Sequence, residues 1–136
     1  MKSRRALPVL MLLTLWAAGA FSAYAAAGGR VIQVIADKDN TFKVPNQRKP
    51  VITVKPGEPI VLRITSHFGG EQARDGSEHS FVVKKLRDQG WDIRLKEGAQ
   101  DYPLIAPQQS GEDQIECTVK CGRGHDDMNM KLVVKD

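Results

Sequence analysis

CTVKCGRGHDDM, residues 117–128, places two thiols, an imidazole and a thioether in one short segment near the C-terminus. The spacing is Cys-x3-Cys-x3-His-x2-Met, and the side chains are those of Cys117, Cys121, His125 and Met128. Soft sulfur together with imidazole suits copper or zinc, and the thioether favours copper because zinc rarely takes methionine. The segment therefore predicts a metal site, with copper as the metal.

The residues around this segment form short β-prone runs separated by turn residues. The runs predicted to be strands are 31–35, 51–54, 60–65, 80–83, 92–95, 114–119 and 131–134. In the third run Ile60, Leu62 and Ile64 alternate onto one face, as in a half-buried strand. Several short strands without an amphipathic helical pattern predict an all-β sandwich or barrel.

Loops are expected between these strands. Residues 66–78 contain two turn dipeptides and are predicted to be an exposed loop, and residues 101–113 an irregular connection. Residues 121–128 then form a loop between the last two strands, where Gly122 and Gly124 permit the sharp turn that directs several side chains to one point.

The candidate ligands are compatible with more than one kind of copper site. His79, in EHSFVV, is the upstream imidazole candidate. One thiolate, two imidazoles and a weak methionine make a mononuclear type 1 site, and this chain has one sulfur more than that. Two thiolates four residues apart can instead bridge two copper ions, each with one imidazole and one weak axial ligand. A backbone carbonyl between the cysteines is a candidate for the second axial position.

These residues resemble a known family. CTVKCGRGHDDM, followed by KLVVKD, is similar to the CuA loop of cytochrome c oxidase subunit II and of nitrous-oxide reductase. EHSF resembles the segment that supplies the family's other histidine, and IADKDNTFKVP and VITVKPGEPIVLRITS resemble early cupredoxin strands. The resemblance implies a cupredoxin-like Greek-key β-sandwich or barrel.

The same resemblance implies a cofactor of two copper ions in a binuclear CuA centre. Cys117 and Cys121 would be bridging thiolates, and His79 and His125 would each bind one copper. The axial ligands would be the thioether of Met128 and the carbonyl of Val119. The family usually has glutamate at the latter position, but only its main chain is used.

The function that follows is relay of single electrons from a cytochrome c-like donor to a terminal oxidase or reductase. We expect a monomer that is not an enzyme, because the sequence offers no nucleophile–base pair and no open metal position. The chain lacks the aromatic-rich segment through which subunit II receives electrons, so the identity of the partner is open. The alternatives are a periplasmic copper chaperone or tolerance protein, a mononuclear type 1 site, and a structural Cys117–Cys121 disulfide.

The N-terminus has the pattern of a secretory signal peptide. Basic residues precede an apolar run over residues 7–20, and Ala23-Tyr24-Ala25 is a small-x-small cleavage site. Cleavage after Ala25 would leave a copper-binding domain of residues 26–136 in the periplasm. The alternative is an uncleaved membrane anchor, because the apolar character extends unevenly from Ala6 to Ala27, within the roughly 17–25 residues that a spanning helix needs.

Charge argues against nucleic acid as a partner. The leader holds three basic residues and no acidic one, so its removal lowers the formal net charge from +4 to +1. The remaining lysines and arginines are mixed with acidic residues and form no basic stripe.

Three further residues carry simpler expectations. His67 is predicted to be a loop residue, with a role beside the ligands or facing a partner as the alternative. Met130 is predicted to pack in the core, and Trp91 to pack inside the barrel or cover its end.

Overall fold

The computed structural model describes residues 28–136. The predicted leader, residues 1–25, lies outside the described residues, so the leader and its cleavage remain predictions. The described part contains nine strands: β1 Arg30–Ala36, β2 Phe42–Lys43, β3 Val51–Val54, β4 Pro59–Ser66, β5 His79–Val82, β6 Asp92–Leu95, β7 Gly98–Ile105, β8 Gly111–Glu116 and β9 Asn129–Val134. Two short 3-10 helices, Lys84–Gln89 and His125–Asp127, accompany them. Within residues 28–136, neither helix has the length and apolar character that crossing a membrane requires.

The strands form two sheets, in the orders β2-β1-β4-β7 and β3-β9-β8-β5-β6. β1 pairs with β4 and β3 with β9 in parallel, and the other neighbours pair antiparallel. Parallel neighbours cannot be joined by a tight hairpin, so the chain crosses from one sheet to the other between them. The predicted all-β, Greek-key sandwich is confirmed.

Strict alternation of apolar and polar residues builds the core. In β4, Ile60, Leu62 and Ile64 are almost completely buried, as predicted, and the residues between them are more exposed. Phe42 meets Phe81 from the opposite sheet edge-to-face, with ring centroids 5.5 Å apart. Each aliphatic side chain buried in this way contributes about 1.5–3 kcal/mol to the free energy of unfolding.

The register of β5 against β8 determines where residues 117–128, the functional segment, lie. Val82 of β5 pairs with Glu116 of β8 in antiparallel orientation. The chain after Glu116 therefore runs alongside Ser80 and His79, at the start of β5. All four residues of β5 are buried, so this strand presents His79 from inside the sandwich.

One predicted loop was wrong. Residues 98–105 form β7, an eight-residue strand that pairs with β4 along its whole length, although residues 101–113 were expected to be irregular. β7 is at the edge of its sheet and is mostly exposed, so it lacks the apolar alternation that identifies a strand. Pro103 is tolerated there because an edge strand leaves one row of N–H groups without ladder partners.

The end of β8 also differs from the prediction. The strand covers Gly111–Glu116 rather than residues 114–119, because the chain bends into the functional segment at Cys117. Met130 and Trp91 are buried as predicted. The indole Nε1–H of Trp91 donates a hydrogen bond to the carbonyl of Ile105, at 3.3 Å.

Candidate metal centre

The ring of His79 is fully buried and has one free nitrogen. Its Nε2 lies 2.8 Å from the carbonyl oxygen of His67. Since a carbonyl only accepts, this contact requires the ring proton to be on Nε2. Nδ1 then carries a lone pair, and it is buried without a hydrogen-bond partner. A metal-ligating histidine commonly has this arrangement, in which one nitrogen is held by a carbonyl and the other binds the ion.

The two cysteines lie near the His79 ring as free, buried thiols. Their Sγ atoms are 3.8 Å apart. One ligand atom from each of His79, Cys117 and Cys121 lies within 4.8 Å of the others. Two sulfurs and one imidazole therefore converge on a common point.

The remaining predicted groups surround the same sulfurs. His125 Nδ1 lies 3.5 Å and Met128 Sδ 3.8 Å from Cys121 Sγ. The Val119 carbonyl oxygen lies 3.2 Å from Cys117 Sγ. The structure thus brings all six sequence-predicted groups together, and their ligation of a metal remains a prediction.

Backbone hydrogen bonds and glycines shape the segment that carries these groups. The Cys117 N–H donates to the Met128 carbonyl at 3.1 Å, which closes the segment at its base. Gly122 and Gly124 have φ of 121° and 95°, in the region that residues with a side chain rarely adopt. The His125 N–H donates to the Gly122 carbonyl at 3.2 Å. The chain therefore turns back directly after Cys121 and returns His125 towards it.

Ser80 links β5 to the first cysteine. Its N–H donates to Cys117 Sγ at 3.4 Å, and its Oγ accepts from the Thr118 N–H at 2.7 Å. The second cysteine has a different support, because its carbonyl accepts from the Glu71 N–H at 3.1 Å. Sequence reasoning missed Ser80 and Glu71 as supporting residues. The serine after His79 in EHSF is the one available signal.

The two thiols have pKa values that move in opposite directions. Burial is the strongest influence on Cys117 and acts to raise its pKa, but the polar groups around the thiol, foremost the His79 imidazole and the Ser80 N–H, together outweigh burial and lower it. Burial and the charge of the Cys117 thiolate raise the pKa of Cys121 to about 12. Cys117 therefore ionises first, and a metal that binds both thiolates must displace the proton of Cys121.

The site reaches solvent on one side. His125 is half-buried, whereas His79, both cysteines and Met128 are buried. A surface hollow of about 210 Å³ is lined in part by His125, Asp126 and Met128. Solvent therefore meets the site at His125, whereas His79 is enclosed by the protein.

These residues fit copper. A buried nitrogen without a partner is costly in a folded protein, and a bound metal would satisfy His79 Nδ1. Two thiols, two imidazoles and a thioether form a soft donor set that suits copper better than hard cations. The nearby carboxylates of Asp126 and Asp127 are exposed.

Comparison with known proteins defines the class of fold. No protein-family model and no curated protein matches the chain. Solved structures do match, and the fold is that of the cupredoxins. A chain of a heme-copper terminal oxidase dimer has a TM-score of 0.56 and 16% identity, over 80% of this chain and 67% of that chain.

Two further structures show which cupredoxins the chain is similar to. The periplasmic domain of subunit II of cytochrome oxidase from Bradyrhizobium japonicum has a TM-score of 0.53 and 14% identity, over 79% of this chain and 84% of that chain. Auracyanin A, a blue copper protein from Chloroflexus aurantiacus, has a TM-score of 0.53 and 19% identity, over 79% of this chain and all of its own. The predicted likeness to cupredoxins and to the copper domain of subunit II is confirmed at the level of the fold.

Proposed function

We propose that this protein binds two copper ions in a binuclear centre of the CuA type and relays single electrons. The observation that carries the proposal is the pairing of sulfurs with imidazoles. Two free thiols lie 3.8 Å apart, His125 Nδ1 approaches Cys121 Sγ at 3.5 Å, and His79 is within 4.8 Å of both sulfurs. Each thiol thus has an imidazole beside it, as two metals bridged by two thiolates require.

Each residue has a role in this proposal. Cys117 and Cys121 would hold both ions, and His79 and His125 would each bind one. The Met128 thioether and the Val119 carbonyl would complete the ligand set as its weak members. Copper would supply one-electron oxidation and reduction.

The protein contributes rigidity and exclusion of water. Burial of His79, Cys121 and Met128 keeps water from most of the site. Ser80 and Glu71 hold the two cysteines from different directions, so the ligands need to move little when charge changes. A site whose positions are all filled by protein groups has none left for a substrate, which favours electron relay over catalysis.

The proposed partners are a cytochrome c-like donor and a terminal oxidase or reductase as acceptor, with the protein acting as a monomer in the periplasm. The similarity to the periplasmic domain of an oxidase subunit supports this assignment. His125 would face these partners, because it is the predicted ligand side chain with partial exposure. Ion pairs between the carboxylates of Asp126 and Asp127 and basic residues of a cytochrome would assist docking.

Reconstitution tests the proposal. The thiol-reduced protein is loaded with copper, and the copper-to-protein ratio and electron paramagnetic resonance spectrum are recorded. Two coppers per chain, with hyperfine coupling shared equally by both nuclei, are expected. A single copper coupled to one nucleus would instead indicate a type 1 site, and readily exchanged Cu(I) without a mixed-valence state would indicate a copper carrier.

Matched variants sharpen this test. C121S removes one bridge and should abolish the shared coupling, whereas a type 1 site that uses Cys117 would keep one strongly coloured copper. M128L removes the proposed axial thioether and should shift the spectrum. M130L is the control, because Met130 is buried on β9 two residues away and is outside the proposed ligand set.

A further inference from the structure

Asn40 is a buried polar residue that neither the fold nor the proposed ligand set explains. It lies in the turn between β1 and β2, where its N–H donates to the Asp37 carbonyl at 2.9 Å. Its φ is 57°, a left-handed conformation that asparagine adopts more readily than most residues. Its side chain is 1% exposed and points away from solvent.

The side-chain amide of Asn40 connects two distant segments. Nδ2 donates to the Arg123 carbonyl at 2.7 Å and to the Gly69 carbonyl at 3.0 Å. Both of its protons are therefore used, one on each segment. Arg123 belongs to the turn between Cys121 and His125, and Gly69 belongs to the loop after β4.

The loop after β4 is itself connected to both halves of the metal site. Its His67 carbonyl accepts from His79 Nε2, and its Glu71 N–H donates to the Cys121 carbonyl. A displacement of this loop relative to the turn at Arg123 would therefore move His79 and Cys121 relative to each other.

Close packing leaves no room for an alternative arrangement. A Cβ at Gly69 would lie 1.8 Å from Asn40 Oδ1 and 2.9 Å from the Cys121 carbonyl oxygen. A Cβ at Gly122 would lie 2.6 Å from the Gly69 carbonyl oxygen. The backbones of the two segments are in contact, and the side-chain amide of Asn40 lies where it can donate a hydrogen bond to each of them.

We propose that Asn40 is a positioning residue, which fixes the turn between Cys121 and His125 against residues 67–71 and so sets the relation between the two halves of the metal site. The proposal rests on the proposed function only in taking these halves as copper ligands. Both side-chain hydrogen bonds of Asn40 go to main-chain carbonyls, so it acts through the backbone on both sides of the site.

The test compares N40D with N46D. Aspartate has the same shape but offers two acceptors to two carbonyl oxygens, so N40D should separate the segments. Asn46 also has a left-handed φ, of 64°, but is exposed, so N46D controls for the added charge and backbone strain. In copper-loaded N40D we expect copper to be released to a chelator about tenfold to a hundredfold faster than in wild type, as when a residue supporting a ligand is lost. We also expect an altered paramagnetic resonance spectrum.

Amide hydrogen exchange of the metal-free, thiol-reduced protein separates this inference from the proposed function. N40D should accelerate exchange at Glu71 and His125, whose N–H groups form the bonds described above, and N46D should not. This result would support the inference even if the wild type bound no copper. If N40D loses stability while both amides and the copper spectrum stay as in N46D, the inference is wrong. If N40D does not fold, G69A takes its place, because its Cβ would displace the Asn40 amide at an ordinary backbone φ.

Discussion

The Nε2 atom of His79 lies 2.8 Å from the carbonyl oxygen of His67, and this contact leaves Nδ1 as the ring nitrogen that is available to a metal. We predict that metal-free, reduced protein at neutral pH contains His79 as the Nε2–H tautomer. Long-range proton–nitrogen correlation spectra of the imidazole would show it directly. A proton on Nδ1 in the neutral ring would contradict the arrangement, because that nitrogen could then bind no metal.

Removal of the Ser80 hydroxyl should weaken the connection between β5 and the functional segment. Ser80 is fully buried, and S80A leaves the Thr118 N–H without its acceptor. We expect the free energy of unfolding to fall by about 1–2 kcal/mol. Urea denaturation of the metal-free protein measures the change. S110A, at an exposed serine, should alter stability by no more than about 0.5 kcal/mol.

Gly122 and Gly70 form a matched pair for testing the close approach of two backbones. Their φ values are 121° and 116°, so alanine at either position carries similar backbone strain. A Cβ at Gly122 would lie 2.6 Å from the Gly69 carbonyl oxygen, whereas a Cβ at Gly70 would meet nothing within 4 Å. G122A should therefore destabilise the protein by about 1–3 kcal/mol more than G70A. Equal losses would show that the segments separate freely.

Ionisation of the Glu58 carboxyl group is expected to make the free energy of unfolding depend on pH. Hydrogen bonds from Arg30 and from the Lys55 N–H lower the pKa of Glu58 from its usual 4.5 to about 2. The folded state therefore favours the carboxylate, and its stabilising effect is present above about pH 4.5 and lost as the pH falls towards 2. Wild type should exceed E58Q in stability at pH 7, and the difference should shrink through this range.

Denaturation of wild type, E58Q, R30Q and the double variant at several pH values measures this effect. Since Arg30 is the largest cause of the shift, E58Q should change the pH dependence less in the R30Q background. A pH-independent difference between wild type and E58Q would contradict the prediction.

Strands could be predicted from the sequence where apolar and polar residues alternate, but not where the strand is exposed on both faces. β4 was evident because Ile60, Leu62 and Ile64 share one buried face. β7 was missed because it is an exposed edge strand, held by main-chain pairing with β4 that leaves little trace in side-chain polarity.

The candidate metal site, too, could be predicted from the sequence only in part. Sulfur and imidazole at fixed spacing identified the residues that converge, because ligand chemistry restricts residue type. The supporting contacts could not be predicted, because they join main-chain atoms of distant segments. Asn40 bonds a carbonyl 83 residues further along the chain, and His67 contributes its carbonyl rather than its imidazole.

The last ladder pair between β8 and β9 joins Glu116 to Asn129, directly outside the Cys117 and Met128 pair that closes the functional segment. The two ends of that segment are thus anchored side by side on a hairpin whose register does not depend on what lies between them. Insertions, deletions and changes of donor type could accumulate in the interval while the scaffold kept its shape. Such an architecture would let the donor groups vary while the framework stayed unchanged, and it offers a natural point for loop grafting in protein engineering.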